Sequence, residues 1–152
     1  QMCIRDRFSA YCPDLLLGQC LTDVARTPDF IVRWTFIGRT SPYILQTYCG
    51  FRVTHEGETI LTQRMLYTRT DFDEPLTDAN RRFDHDVVRL TSLLPVKIVG
   101  VKCSNTNDLI LCAENHLRIE IFADAPPVCE DWRFGPQDDV RLSAFTDCVH
   151  LK

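Results

Sequence analysis

Alternation of apolar and polar side chains is the strongest pattern along this chain. Val32, Trp34 and Phe36 occupy every second position of one segment, with polar residues between them. The same spacing recurs in residues 117–121, where leucine and isoleucines alternate with Arg and Glu. Because successive side chains of a strand point to opposite faces, both segments are predicted to be half-buried β-strands.

About nine short strands are predicted when turn residues are taken as boundaries. Thr27-Pro28-Asp29 and His55-Glu56-Gly57 are typical of hairpin turns. Gly50 interrupts one long strand and predicts a bulge or a bend there. The predicted strands are 20–25, 29–37, 43–54, 58–68, 96–103, 108–114, 116–123, a short one at 131–134, and a last pair around 140–144 and 148–151.

One segment in the middle of the chain follows a helical period instead. Its apolar positions are spaced by three or four residues, which is the amphipathic helix pattern. These positions are Ala79, Phe83, Val87, Leu90 and Leu94. Asp78 is a plausible N-cap, and Pro95 should end the helix. The sequence therefore predicts one amphipathic helix at about 78–94.

The order of the elements decides between fold classes. Strands cluster before and after the helix, which excludes a continuous alternation of strand and helix. We therefore predict an α+β fold of mostly antiparallel sheet, with the helix covering one face. A β-sandwich or an open barrel with one helix is the alternative. Residues 15–36 and 93–115 share one β pattern, so the strands are expected in two pseudo-repeated halves.

The length of the chain fits a single domain. Residues 1–7, QMCIRDR, correspond to the translation of a sequencing-adapter end, and we interpret them as an adapter-derived or disordered segment. The alternative is a genuine N-terminus. Residues 8–152 are expected to form one globular α+β domain. The expected source of the chain is an environmental bacterium.

Charge and hydropathy narrow the classes of partner. The net charge of −4 disfavours non-specific nucleic-acid binding, which needs clustered cations. A basic protein partner is compatible with it. The apolar runs are shorter than a membrane span, so no membrane association is expected. Nothing in the sequence indicates an oligomeric state.

The chain has eight cysteines, and none forms a C-x-x-C pair. Zinc-finger and thioredoxin-like spacings are therefore missing. Cys20, Cys49, Cys103 and Cys112 lie within or beside apolar strands. We interpret them as small buried side chains in a reducing cytosol, which makes the expected location cytoplasmic. A disulfide between neighbouring strands is the alternative if the protein is exported.

Asp71, Asp73 and Glu74 form an acidic cluster just before the helix. Carboxylates are favoured near a helix N-terminus, and they also offer a surface for a protein partner. A calcium or magnesium site is a weaker alternative, because the Gly and the distal Glu of a calcium loop are missing. The triplet Asp84-His85-Asp86 is expected to be a solvated helix face, since neighbouring helical side chains diverge.

A second candidate contact surface is Glu130-Asp131-Trp132, which follows a proline loop. Trp is enriched at the centres of protein interfaces, which favours a partner-binding role. The alternative is a Trp that closes the edge of the core while its polar neighbours face water. The sequence contains no G-x-S-x-G and no Gly-rich phosphate loop, so no catalytic residue, metal or cofactor is predicted.

The run DLILCAENHLRIEIFADAPPVCEDWRF, residues 108–134, carries a family resemblance. An Asp-led strand, a turn, a strand ending in Ile-Phe and an acidic residue before Trp resemble small bacterial domains of the toxin-immunity type. Val128-Cys129 and the cysteine content depart from that pattern. The resemblance implies a protein that binds and blocks a secreted toxin, and it implies no catalytic residues.

The expected function is therefore that of a non-enzymatic, immunity-type inhibitor that binds a basic toxin or effector. Its predicted contact residues are Asp71, Asp73, Glu74, Glu130, Asp131 and Trp132. The first alternative is an enzyme or small-ligand binder with a site between the two β halves. The second is a phage or plasmid protein that counters host defence by mimicking an acidic surface.

Overall fold

The computed structural model describes residues 12–26, 31–39, 41–63, 78–106, 108–123 and 132–138, without the side chains of 78–82. Residues 1–7 and the predicted strands at 140–144 and 148–151 lie outside these ranges. In chain order the elements are a 3-10 helix Pro13–Leu16, β1 Cys20–Arg26, β2 Val32–Ile37, β3 Tyr43–Thr47, β4 Gly50–His55, β5 Glu58–Thr62, α1 Asp78–Thr91, β6 Val96–Cys103, β7 Leu109–Ala113, β8 Leu117–Phe122 and β9 Trp132–Pro136.

The described strands form one antiparallel sheet in the order β5-β4-β8-β7-β6-β1-β2-β3-β9. Two three-stranded meanders, β1-β2-β3 and β6-β7-β8, lie side by side in it, with β1 next to β6. The described part of the chain is thus mostly β with one α-helix. This confirms the predicted antiparallel sheet and the helix that interrupts the run of strands.

The covalent connection between β3 and β4 forces this sheet to close on itself. These strands are six positions apart in the sheet, which is about 29 Å in a flat sheet with its usual strand spacing. Only Tyr48 and Cys49 separate them along the chain. Three residue steps span at most about 11 Å. The sheet must therefore roll until β3 and β4 are neighbours.

Ring contacts in the interior show the same closure. Trp34 of β2 and Phe51 of β4 meet edge to face with their ring centroids 5.3 Å apart, although five strand positions separate them in the sheet. The Trp34 indole N–H donates to the buried hydroxyl of Thr47 at 3.0 Å. The inner faces of the two sheet halves therefore pack directly against each other.

Two bends allow the roll. The predicted long strand 43–54 is broken at Tyr48-Cys49 rather than at Gly50, and its two parts pair in different halves of the sheet. In β6 the register with β7 shifts between Ile98 and Gly100. Bulges and bends of this kind are how strands pass from one half of a rolled sheet to the other.

The helix α1 packs its apolar side against β5 and β1. Phe83 and Leu90 are fully buried in the same core cluster as the sheet's inner residues. The helix ends at Thr91, earlier than predicted, because the Leu93 and Leu94 amides bond to carbonyls three residues back. Leu93 and Leu94 then contact the core from the loop.

Two hairpins close with left-handed pairs of residues. Glu56 and Gly57 have φ of 52° and 81°, and Asn115 and His116 have φ of 63° and 60°. Two consecutive positive φ values characterise the type I′ turn, whose twist matches that of the flanking strands. The Glu56-Gly57 turn was predicted from the sequence, and the structure confirms it.

Closure of the sheet predicts very different costs for two phenylalanine truncations. Phe51→Ala should lower the free energy of unfolding by about 3–5 kcal/mol, because it leaves a cavity beside Trp34. Phe122→Ala, on the exposed face of the neighbouring strand β8, is the matched control and should cost less than about 1 kcal/mol. Urea unfolding followed by Trp fluorescence measures both, and equal losses would contradict the closed sheet.

Candidate binding surfaces

The outward face of β4, β6, β7 and β8 carries a cluster of charged and aromatic side chains that the strand registers bring together. Cross-strand pairs place these residues in adjoining rows, with Glu120 at the centre. We call this set the outer patch. It consists of Arg52, Lys102, Ile110, Cys112, Arg118, Glu120 and Phe122.

Arg52 is held in place within the outer patch by two contacts. Its Nε and Nη2 donate to Glu120 Oε1 at 3.1 and 3.0 Å. Its guanidinium carbon lies 5.5 Å from the centroid of the Phe122 ring, a cation–π distance. A Cβ at Gly50 would lie 3.9 Å from the same ring, so the glycine leaves room for Phe122 beside β4.

The other two cations of the outer patch are held less tightly. Arg118 Nε lies 3.8 Å from Glu120 Oε1, which is an ion pair without a hydrogen bond. Lys102 is exposed and has no ion pair within the described part of the chain. The outer patch therefore has three cations and one carboxylate.

A shallow depression of about 340 Å³ lies between β1 and α1. Its lining combines apolar side chains with one ion pair, and the residues are Val24, Ala25, Arg26, Phe83, Asp84 and Val87. Arg26 donates from Nε and Nη2 to the two carboxylate oxygens of Asp84 at 2.8 and 2.9 Å. These hydrogen bonds raise the pKa of Arg26 above its usual value, so the arginine stays charged.

The structure describes only one of the six contact residues that the sequence predicts. Asp71, Asp73, Glu74, Glu130 and Asp131 lie outside the described residues. Trp132 is the first residue of β9, pairs with Thr47 and is only 1% exposed. The indole therefore closes the edge of the core, which was the alternative interpretation, and it offers almost no surface to a partner.

The helical triplet does not converge on one point. Asp84 binds Arg26, whereas His85 Nδ1 lies 2.9 Å from Asp86 Oδ1. Among the described residues, no three His, Cys, Asp or Glu side chains are grouped so that they could hold a metal ion.

No protein-family model, curated protein or solved structure matches this chain. The likeness to immunity proteins consequently stays an expectation drawn from the residue pattern. Within the described ranges, no helix has the length and apolar character that crossing a membrane requires.

The cysteines differ in chemical state. Cys20 and Cys112 carry free thiols and are partly exposed on the outward side of the sheet. Cys12, which precedes the 3-10 helix, is disulfide-bonded. A disulfide is typical of an oxidising compartment, so this bond counts against the expected reducing cytosol.

Sequence reasoning did not predict the outer patch. Alternation already placed Arg118 and Glu120 on the polar face of one strand, but it does not say which strand lies next to it. Arg52 and Glu120 are 68 positions apart in the chain and meet only through the pairing of β4 with β8. The signal that the sequence does contain is that these charged residues occupy outward positions of predicted strands.

The Arg26–Asp84 pair should give a small coupling between β1 and α1. In a double-mutant cycle of Arg26→Ala and Asp84→Ala, we expect a coupling of about 0.5–1 kcal/mol in urea unfolding, because the pair is bidentate but partly exposed. The coupling should shrink at high salt. The same cycle on Arg89 and Glu58, whose charged atoms are 3.7 Å apart, is the control and should give less.

Proposed function

We propose that this protein is a non-enzymatic binding protein that neutralises a toxin or effector by direct contact. The observation that supports a binding role is the filled interior, where Trp34 and Phe51 meet between the two halves of the sheet. Room for a substrate between the halves would require these rings to separate. Recognition therefore falls to the outside of the molecule, as in an immunity-type inhibitor.

The acidic loops supply the predicted contacts with a basic toxin. Asp71, Asp73, Glu74, Glu130 and Asp131 bring five carboxylates into two segments of a chain whose net charge is −4. Carboxylates at the edge of an interface act mainly on the association rate and on the choice of partner.

The proposal also includes a cytoplasmic location and a relation between the two meanders. The free thiols of Cys20 and Cys112 support the cytoplasm, whereas the Cys12 disulfide counts against it. Alkylation of the protein inside the cells that make it, followed by intact mass, shows whether the disulfide is present and so decides between a cytoplasmic and an oxidising compartment.

We further propose that β1-β2-β3 and β6-β7-β8 are copies of one pattern, because β1 and β6 each follow a double leucine and lie side by side.

A small-ligand site is the second candidate function, and the depression beside α1 favours it. This depression is open, combines four apolar residues with the Arg26–Asp84 pair, and suits a small acid more than a catalytic reaction. Arg26 is already bound to Asp84, so a ligand acid would have to displace that carboxylate.

Growth rescue tests the proposed function. The chain is co-expressed in bacteria with each basic toxin domain that is encoded in its source sample, and affinities of rescued pairs are measured. Alanine at Asp71, Asp73, Glu74, Glu130 and Asp131 together should weaken binding by about tenfold or more, because the complementary charges are lost.

The control changes the net charge equally. It replaces five exposed acids elsewhere in the described chain by alanine, namely Asp14, Asp23, Glu56, Glu114 and Asp138. Its affinity should stay within about threefold of the original. Equal weakening by both variants would reject the assigned contact residues, and failure to rescue growth from any basic toxin would reject the function.

A further inference from the structure

We propose that the outer patch is a docking surface for an acidic protein segment that carries both carboxylates and apolar side chains. Its residues differ from the acidic residues of the proposed function, and it selects a partner of the opposite charge. The inference does not depend on that function.

The first argument is that no described element covers the outer patch. The helix α1 packs on the inward side, with Phe83 and Leu90 in the core. The side chains of Arg52 and Arg118 are 46% and 48% exposed, and Phe122 is 39% exposed. An exposed aromatic ring beside cations is typical of a binding surface rather than of a surface that contacts only water.

The second argument is charge complementarity. The patch has three cations around one carboxylate, while the chain as a whole has a net charge of −4. Lys102 and Arg118 have no hydrogen-bonded acid among the described residues. Opposite potentials on the two sides of an interface speed the encounter and reject partners of the wrong charge, so this face fits carboxylates.

The third argument is preorganisation. Glu120 and Phe122 fix the guanidinium of Arg52 from its edge and from its face. A side chain that is already ordered loses little conformational freedom when a ligand binds. Arg52 can therefore offer its remaining N–H groups to a ligand. A lysine could not replace it, because it lacks the planar group that lies over the Phe122 ring.

The mixture of side chains favours a protein segment over a nucleic acid. Stacking of successive bases needs several aromatic rings along a positive groove, and the patch has a single ring already faced by Arg52. Ile110, Cys112 and Phe122 instead offer apolar contacts between the cations, which match apolar side chains set among carboxylates.

The test uses a fluorescent glutamate-rich peptide that contains phenylalanines, and it measures binding by anisotropy and by thiol protection. Bound peptide should slow the alkylation of Cys112, which lies within the patch. Cys20, which lies on β1 outside it, should react at an unchanged rate and is the internal control. Mass spectrometry of the two cysteines separates these outcomes.

Two variants with the same change of net charge decide where the peptide binds. Lys102→Glu with Arg118→Glu should weaken binding by about tenfold or more. Arg33→Glu with Arg39→Glu, at exposed positions on and just after β2, should leave it within about threefold. Phe122→Ala should weaken binding without altering the net charge.

Several results would overturn the proposal. These are no binding of the peptide, equal weakening by both charge-reversed variants, or no protection of Cys112. Tighter binding of single-stranded poly-uridine or of anionic lipid vesicles than of the peptide would assign the patch to another class of partner. Rescue from a basic toxin is a separate readout, so failure here leaves the proposed function standing.

Discussion

The short link between β3 and β4 is the constraint on which the rest of this structure depends. Tyr48 and Cys49 cannot span the width of a flat sheet, so the sheet has to roll. Rolling brings the inner faces of its halves together, where Trp34 and Phe51 pack edge to face. The helix then covers β5 and β1 and completes one continuous core.

Closure also decides which residues face the solvent. The inward positions of β4, β7 and β8 are buried and their alternate positions point outward, where those of β4 and β8 carry charges. In β6 the register shift at Val99-Gly100 changes the alternation, so Val101 and Cys103 continue on the core side while Lys102 points outward. One local irregularity thereby aligns Lys102 with the row of Ile110, Glu120 and Arg52.

Local signals account for what could be predicted. The period-two pattern of β2 and β8, the helical spacing that includes Phe83 and Leu90, and the Glu56-Gly57 turn are properties of neighbouring residues. The sheet order, the closure and the outer patch depend on pairs far apart in the chain, such as Arg52 with Glu120. Trp132 shows the same limit, because its burial follows from the pairing of β9 with β3 and not from its acidic neighbours.

Stability does not account for the excess of cations on the outer patch. Partly exposed ion pairs contribute about 0–1 kcal/mol, and the Arg118–Glu120 pair is longer than a hydrogen bond. Lys102 adds a charge without an ion pair on the described surface. Polar uncharged residues at these outward positions would satisfy the sheet equally well. Folding therefore does not require this cluster of cations, which lies on a chain of opposite net charge. Recognition of carboxylates by this face does require it.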